Sequence, residues 1–237
     1  MGTIAWLDPE DPGFPSPETA LRDPNGLLAV GGDLSVERLL CAYRSGVFPW
    51  YEAGQPLLWW SPSPRCVLFP DRFRPSRSLA RRLRRNEFDV RLDTAFGDAV
   101  DGCSAPRDAE GGTWITPEMR AAYVELHHLG YAHSIETWQE GELVGGLYGV
   151  SLGKLFFGES MFHRATDASK VAFAWLCRLM NEHDGPLIDC QIENEHLNRL
   201  GAELMDRDEF LGYLDRFAAD SVPAIPWSQM QGSLGPW

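Results

Sequence analysis

"YAHSIETWQEGELVGGLYGVSLGKLFFGESMF", residues 131–162, holds three strand-like runs, YAHSIETWQ, ELVGGLYGVSL and KLFFGESMF, parted only by the short turns EGE and LG. Turns this short force neighbouring strands to run antiparallel. The next stretch, ASKVAFAWLCRLMNEH (168–183), is apolar at helical spacing, and PLIDCQI (186–192) then reads as a buried strand. Glu159 stands among aromatics and a methionine in the third run, and Asp189 and Gln191 stand on the strand beyond the helix. Packing asks for no polar group on an apolar strand. The two strands are therefore expected to line one site.

Upstream, a basic helix is expected from Ser76 and another near Thr94 to Cys103. ITPEMRAAYVELHHLG (115–130) makes a third, with Thr116 as N-cap, Pro117 in the first helical position and Gly130 past the end. Downstream, NEHLNRLGA (194–202) reads as a short helix and DEFLGYLDRFAAD (208–220) as the last. The first 65 residues are rich in Pro, Gly and Trp, and LSVERLLCAYRSG (34–46) is their one convincing helix, with Leu39, Leu40 and Tyr43 at helical spacing. The chain is thus expected to divide near Pro62 to Arg65 into a small irregular α/β N-terminal domain (1–65) and a larger one (66–237).

At 237 residues and 44% hydrophobic, the chain can bury a sizeable core. No run approaches the roughly 18 apolar residues of a membrane span, and the N-terminus lacks a signal-peptide pattern. The cytoplasm is the expected compartment, with no membrane partner. The five cysteines, at 41, 66, 103, 177 and 190, form no CxxC pair and match no histidine cluster. Free thiols and no metal are expected. The net charge of −13 argues against a nucleic-acid partner, but RFRPSRSLARRLRR (72–85) holds seven arginines and no acid, leaving the other 14 basic and 34 acidic residues at −20. One basic strip on an acidic body suggests one anionic and one cationic partner.

The succession of helix, helix, three antiparallel strands, helix, strand and helix resembles the GNAT-type acyltransferase fold. That resemblance implies an α+β chain with a mixed, mainly antiparallel sheet, whose strands before and after the long helix splay apart to admit an acyl donor. More specific are FPWY (48–51), WWSP (59–62), TWITPEM (113–119), GGLYGV (145–150), FFGESMF (156–162), ASK (168–170) and IDCQIENEHLNRLGA (188–202). Together they resemble the leucyl/phenylalanyl-tRNA-protein transferases. The resemblance implies transfer of Leu or Phe, less often Met, from Leu-tRNA or Phe-tRNA to the α-amine of proteins beginning with Arg or Lys, which marks them for N-degron proteolysis. No cofactor is implied. A monomer is expected.

It also implies site residues. Gln191 would accept a hydrogen bond from the attacking amine, with Asp189 on the same strand face orienting its amide. Trp50 and Trp114 would flank the 3′-terminal adenine, with Glu159, Ser160 and Asn194 completing the site for the tRNA 3′ adenosine and the acceptor. Leu147, Phe156, Met161, Phe173, Leu176, Met180 and Ile188 would form the pocket for the donor side chain. The family pattern has methionine at both 147 and 161, and Leu147 departs from it. Arg77, Arg81, Arg82, Arg84 and Arg85 would meet tRNA phosphates.

The residues bear on this independently. Acetyl-CoA binding needs a Gly-rich loop before the long helix, and HRATDASK (163–170) has no glycine. An α-amine of pKa roughly 7.7–8.0 is already partly neutral at pH 7, so aminolysis of an ester asks mainly for placement. A CoA-dependent acetyltransferase and a binding module without turnover stay open at this level.

Overall fold

The computed structural model describes residues 4–105, 114–218, 223 and 225–237. In the N-terminal part, β1 (Ala5–Leu7), β2 (Leu27–Gly31), β3 (Phe48–Pro49) and β4 (Leu58–Trp60) form a four-stranded sheet in the order β1-β2-β4-β3, with α1 (Val36–Arg44) between β2 and β3. The segment expected to be irregular is thus a small sheet. Its strands have two to five residues and are broken by Pro and Gly, too short to show alternation in the sequence.

The rest of the chain follows as β5 (Arg65–Leu68), α2 (Arg77–Arg85), β6 (Asp89–Leu92), α3 (Phe96–Ser104), α4 (Pro117–His128), β7 (Ala132–Gln139), β8 (Glu142–Leu152), β9 (Leu155–His163), α5 (Ala168–Glu182), β10 (Leu187–Gln191), α6 (Glu195–Leu200), β11 (Glu203–Met205), α7 (Arg207–Phe217) and β12 (Gly232–Ser233). Its eight strands form one mixed sheet, ordered β11-β5-β10-β9-β8-β7-β6-β12. The chain is α+β, and β7, β8 and β9 are the antiparallel meander read from the sequence. Ser35, Ser76 and Thr116 cap α1, α2 and α4, each accepting a backbone N–H of the first turn. Thr113 of the TWITPEM motif, and residues 219–220 at the end of the last expected helix, lie outside the described residues.

Two features of the sheet open the cleft. β10 pairs in parallel with β9 only from Leu187–Leu155 to Asp189–Phe157, whereas β9 continues alongside β8 to His163. Both strands also break register where the polar residues sit. Tyr148 pairs with Ser160 and Gly149 with Gly158, which leaves Glu159 as the extra residue of a bulge. On β10, Asp189 pairs with Val67 and Gln191 with Cys66, leaving out Cys190. Gly149 is required here, because a Cβ on it would stand 2.2 Å from the Phe157 carbonyl oxygen and 2.5 Å from the Phe156 ring.

Successive residues of the central strands enter two buried clusters. Tyr148 and Phe157 join α1, α3 and α4 in one, and Leu147 and Phe156 join α5 in the other. Leu28, Leu39, Tyr43 and Trp59 lie in the first cluster, so the small sheet shares a core with the large one.

Candidate active site

A cavity of about 940 Å³ opens where β9 and β10 part. Its apolar floor comes from cross-strand neighbours, Leu147 beside Met161 and Phe156 beside Ile188, with Phe173 and Leu176 of α5 closing it. Met180, one turn further along α5, does not line it. It is 2% exposed and packs against Gly185, so its assignment to the donor pocket is corrected to core.

The polar wall is built around Glu159. Its Oε1 accepts from Gln191 Nε2 at 2.8 Å and from Tyr43 Oη at 2.8 Å, and Oε2 is 2.7 Å from Tyr123 Oη. Burial, reinforced by the charge of Asp189 and opposed by the bonds from Tyr123, Tyr43 and Gln191, pushes the Glu159 carboxyl up to about 7. Gln191 takes a left-handed backbone (φ 60°) after the bulge and lines the cavity. With its amide nitrogen held by Glu159, its amide oxygen makes no hydrogen bond to another described residue.

Asp189 is placed differently from the sequence expectation. It is 2% exposed and does not line the cavity, and Arg65 binds it in two-pronged fashion, Nε to Oδ1 at 2.8 Å and an Nη to Oδ2 at 2.7 Å. Its one bond to Gln191 goes to the backbone N–H, at 2.9 Å. Glu159, not Asp189, orients the Gln191 amide. The reason is the bulge, which breaks the strand period on which the shared exposed face depended. The Arg65 guanidinium lies 4.7 Å from the Phe48 and Phe210 ring centres and also donates to the Gly46 carbonyl. It thereby ties β10 to the N-terminal part and to α7.

Trp50 and Trp114 both line the cavity mouth, Trp50 being 42% exposed and edge-on to Trp60. Ser160 and Asn194 line it too, and Asn194 uses its side-chain oxygen to cap α6. A smaller hollow of about 230 Å³, with Arg74, Ser76, Lys170 and Arg199 in its wall, shares His196 with the cavity and leads to the start of α2. On α2, Arg77, Arg81, Arg84 and Arg85 are exposed. Arg82 is half-buried and paired with Glu87 and Asp167, so it is less free for an outside anion than the sequence suggested.

Sequence reasoning missed Arg65, Tyr43 and Tyr123. A charged residue opening the apolar run RCVL was a visible signal for the first, whereas the tyrosines sit at core positions of helices and gave none. It also missed Asp93, His127 and His133, whose ligand atoms lie within 4.8 Å of one another. There, His133 bonds to Asp93 and the Gly130 carbonyl, and His127 to the Ala132 carbonyl.

A cleft between parting strands, with an apolar floor and an amide aimed into it, suits acyl transfer. The family described as leucyl/phenylalanyl-tRNA protein transferase matches residues 67–215, and that family's N-terminal domain matches residues 32–63. The leucyl/phenylalanyl-tRNA–protein transferase of Azoarcus sp. (strain BH72) is 53% identical over 234 residues, 99% of either chain. That of Stutzerimonas stutzeri (strain A1501) is 58% identical, covering 87% of this chain and 92% of its own. Among solved structures, L-PGS from Bacillus licheniformis is similar at a TM-score of 0.37 and 14% identity, over 72% of this chain and 57% of that one. The chain belongs to the leucyl/phenylalanyl-tRNA protein transferase family and is an aminoacyltransferase.

Proposed function

We propose that this enzyme takes Leu or Phe, and less often Met, from its tRNA and joins it to the α-amine of proteins beginning with Arg or Lys, in the cytoplasm, as a signal for proteolysis. The observation that carries the reading is the Gln191 amide, fixed through its nitrogen with its oxygen left for a donor inside an apolar cleft. In the reaction the amine nitrogen attacks the ester carbonyl, the bond to the 3′ oxygen breaks, and the amine proton ends on that oxygen. Gln191 Oε1 accepts one amine N–H and so aims the nitrogen lone pair. Asp189 acts from behind, through the Gln191 backbone. The strands parting around a donor support a GNAT-like reading of residues 66–237, with residues 1–65 carrying Trp50 to its mouth. The test is transfer of labelled Leu from charged tRNA to a peptide beginning with Arg, beside the same peptide α-acetylated. Transfer to both, or transfer dependent on CoA, refutes the reading.

The donor side chain sits on Met161, Phe173 and the floor beneath, and the terminal adenine between Trp50 and Trp114. Stacking on an aromatic is worth roughly 1–3 kcal/mol per base. A flexible methionine beside phenylalanine admits both Leu and Phe. Met161→Ala enlarges the pocket and is expected to raise transfer of Trp relative to Leu by about tenfold, since pocket misfits are worth roughly 1–3 kcal/mol. Competition between the two charged tRNAs measures it. An unchanged ratio with a lowered melting temperature makes Met161 ordinary core.

The exposed arginines of α2 and the basic hollow continue the cleft outward, a path suited to the acceptor-stem phosphates. Reversing Arg81 and Arg84 to Glu is expected to weaken tRNA binding and to reduce the slope of log affinity against log salt by about 1 for every phosphate no longer neutralised. An unchanged slope would return the helix to a solvated face.

A further inference from the structure

Four oxygens from three residues meet on the closed side of the cleft. Tyr43 Oη is 2.8 Å from Glu159 Oε1, Tyr123 Oη is 2.7 Å from Glu159 Oε2, and the two phenol oxygens are 2.5 Å apart. Together they close a ring, and each of its three oxygen pairs needs one hydrogen between them. The two phenols supply only two. Tyrosinate would deepen the shortage, and burial, with Glu159 next to them, raises both phenols well above their ordinary value. In whichever sense the ring runs, the third hydrogen has to come from Glu159. An ionised carboxylate would leave one of the three oxygen pairs, whichever way the phenols point, with no hydrogen between its members.

The groups around Glu159 agree with this count. Tyr43 faces it from α1, Tyr123 from α4, and Asp189 and Gln191 from β10, while Tyr148 of β8 lies against Tyr123. Arg65, a buried cation of this region, is taken up by Asp189.

We propose that Glu159, closed into a ring with Tyr43 and Tyr123, is a neutral carboxylic acid in the resting enzyme and positions Gln191 for attack in that form. The inference rests on the proposed role of Gln191. A carboxylate next to the attack site would stabilise an arriving α-ammonium, which has no lone pair. The neutral acid still accepts from Gln191 Nε2, and so aims the amide oxygen, without holding the nucleophile in its protonated state. Glu159, Tyr43 and Tyr123 are positioning residues, and Glu159→Gln keeps the shape and neutrality of the proposed working state.

The first measurement is an infrared difference spectrum of the parent enzyme against Glu159→Gln in D2O. A carboxylic-acid carbonyl band is expected in the parent below neutral pH, fading as the pH rises through about 7. The second is single-turnover transfer across pH. Glu159→Gln is expected to keep the parent's order of magnitude below neutral pH and Glu159→Ala to lose it, and the parent-to-Glu159→Gln rate ratio is expected to fall as Glu159 ionises. Absence of the band, a Glu159→Gln enzyme no better than Glu159→Ala with both folded, or a ratio that climbs with pH each overturns the proposal. A clear band in a parent enzyme that transfers no amino acid would uphold the ring and overturn the proposed reaction instead.

Discussion

Gln191→Ala is expected to lower the single-turnover rate of transfer about a hundredfold or more, the scale of a group that acts on the transferred proton or the attacking atom, while binding of charged tRNA changes little. Among the described residues Gln191 makes one side-chain bond, to Glu159, and its removal leaves the apolar floor and the tryptophans in place. A loss confined to the chemical step is the signature of an interaction made in the transition state. Glu159→Ala combined with Gln191→Ala should cost less than the product of the two single losses, because each holds the other. If Gln191→Ala is folded and transfers at the parent rate, the amide is structural.

The second large effect concerns stability. Arg65 is 1% exposed and Asp189 2%, so removing one partner strands a buried charge. Arg65→Met is expected to cost roughly 3–5 kcal/mol in urea unfolding. Asp189→Leu placed with it should recover much of that loss, since an apolar pair of similar volume replaces both desolvated charges. Turnover should remain low in the double variant, because the Gln191 backbone N–H then lacks its carboxylate acceptor. A loss below about 1 kcal/mol for Arg65→Met would show that the guanidinium is not the tie between β5, β10 and α7.

What the sequence disclosed and what it hid follow from the range of the interactions involved. Helices α1, α2, α4 and α5 were legible because caps and periodicity lie within a few residues of one another, as with Ser76 and Leu79 or Thr116 and Pro117. The meander was legible from its two short turns. β1 to β6 were not, since strands of two to five residues are too short to show alternation and gain their identity from the strands they pair with. The same division holds within the cleft. Glu159 and Gln191 stood out as polar groups in apolar strands, and the floor from Leu147 to Leu176 came from the family resemblance. Hidden were the two bulges, which place Glu159 and re-aim Gln191, and the Arg65–Asp189 pair, whose members are 124 residues apart. Tyr43 and Tyr123 occupy buried helical positions, where a tyrosine looks like any other core aromatic until the carboxyl group its hydroxyl meets is known.

The most direct test of the cleft is a crystal structure with a 3′-aminoacyl-adenosine analogue in which an amide replaces the ester to phenylalanine. The expected result places the adenine between Trp50 and Trp114, the benzyl group on Met161 and Phe173, and the carbonyl carbon next to the Gln191 amide oxygen, with room for an amine between them. An analogue seated outside the cleft, or one whose carbonyl faces away from Gln191, would contradict it.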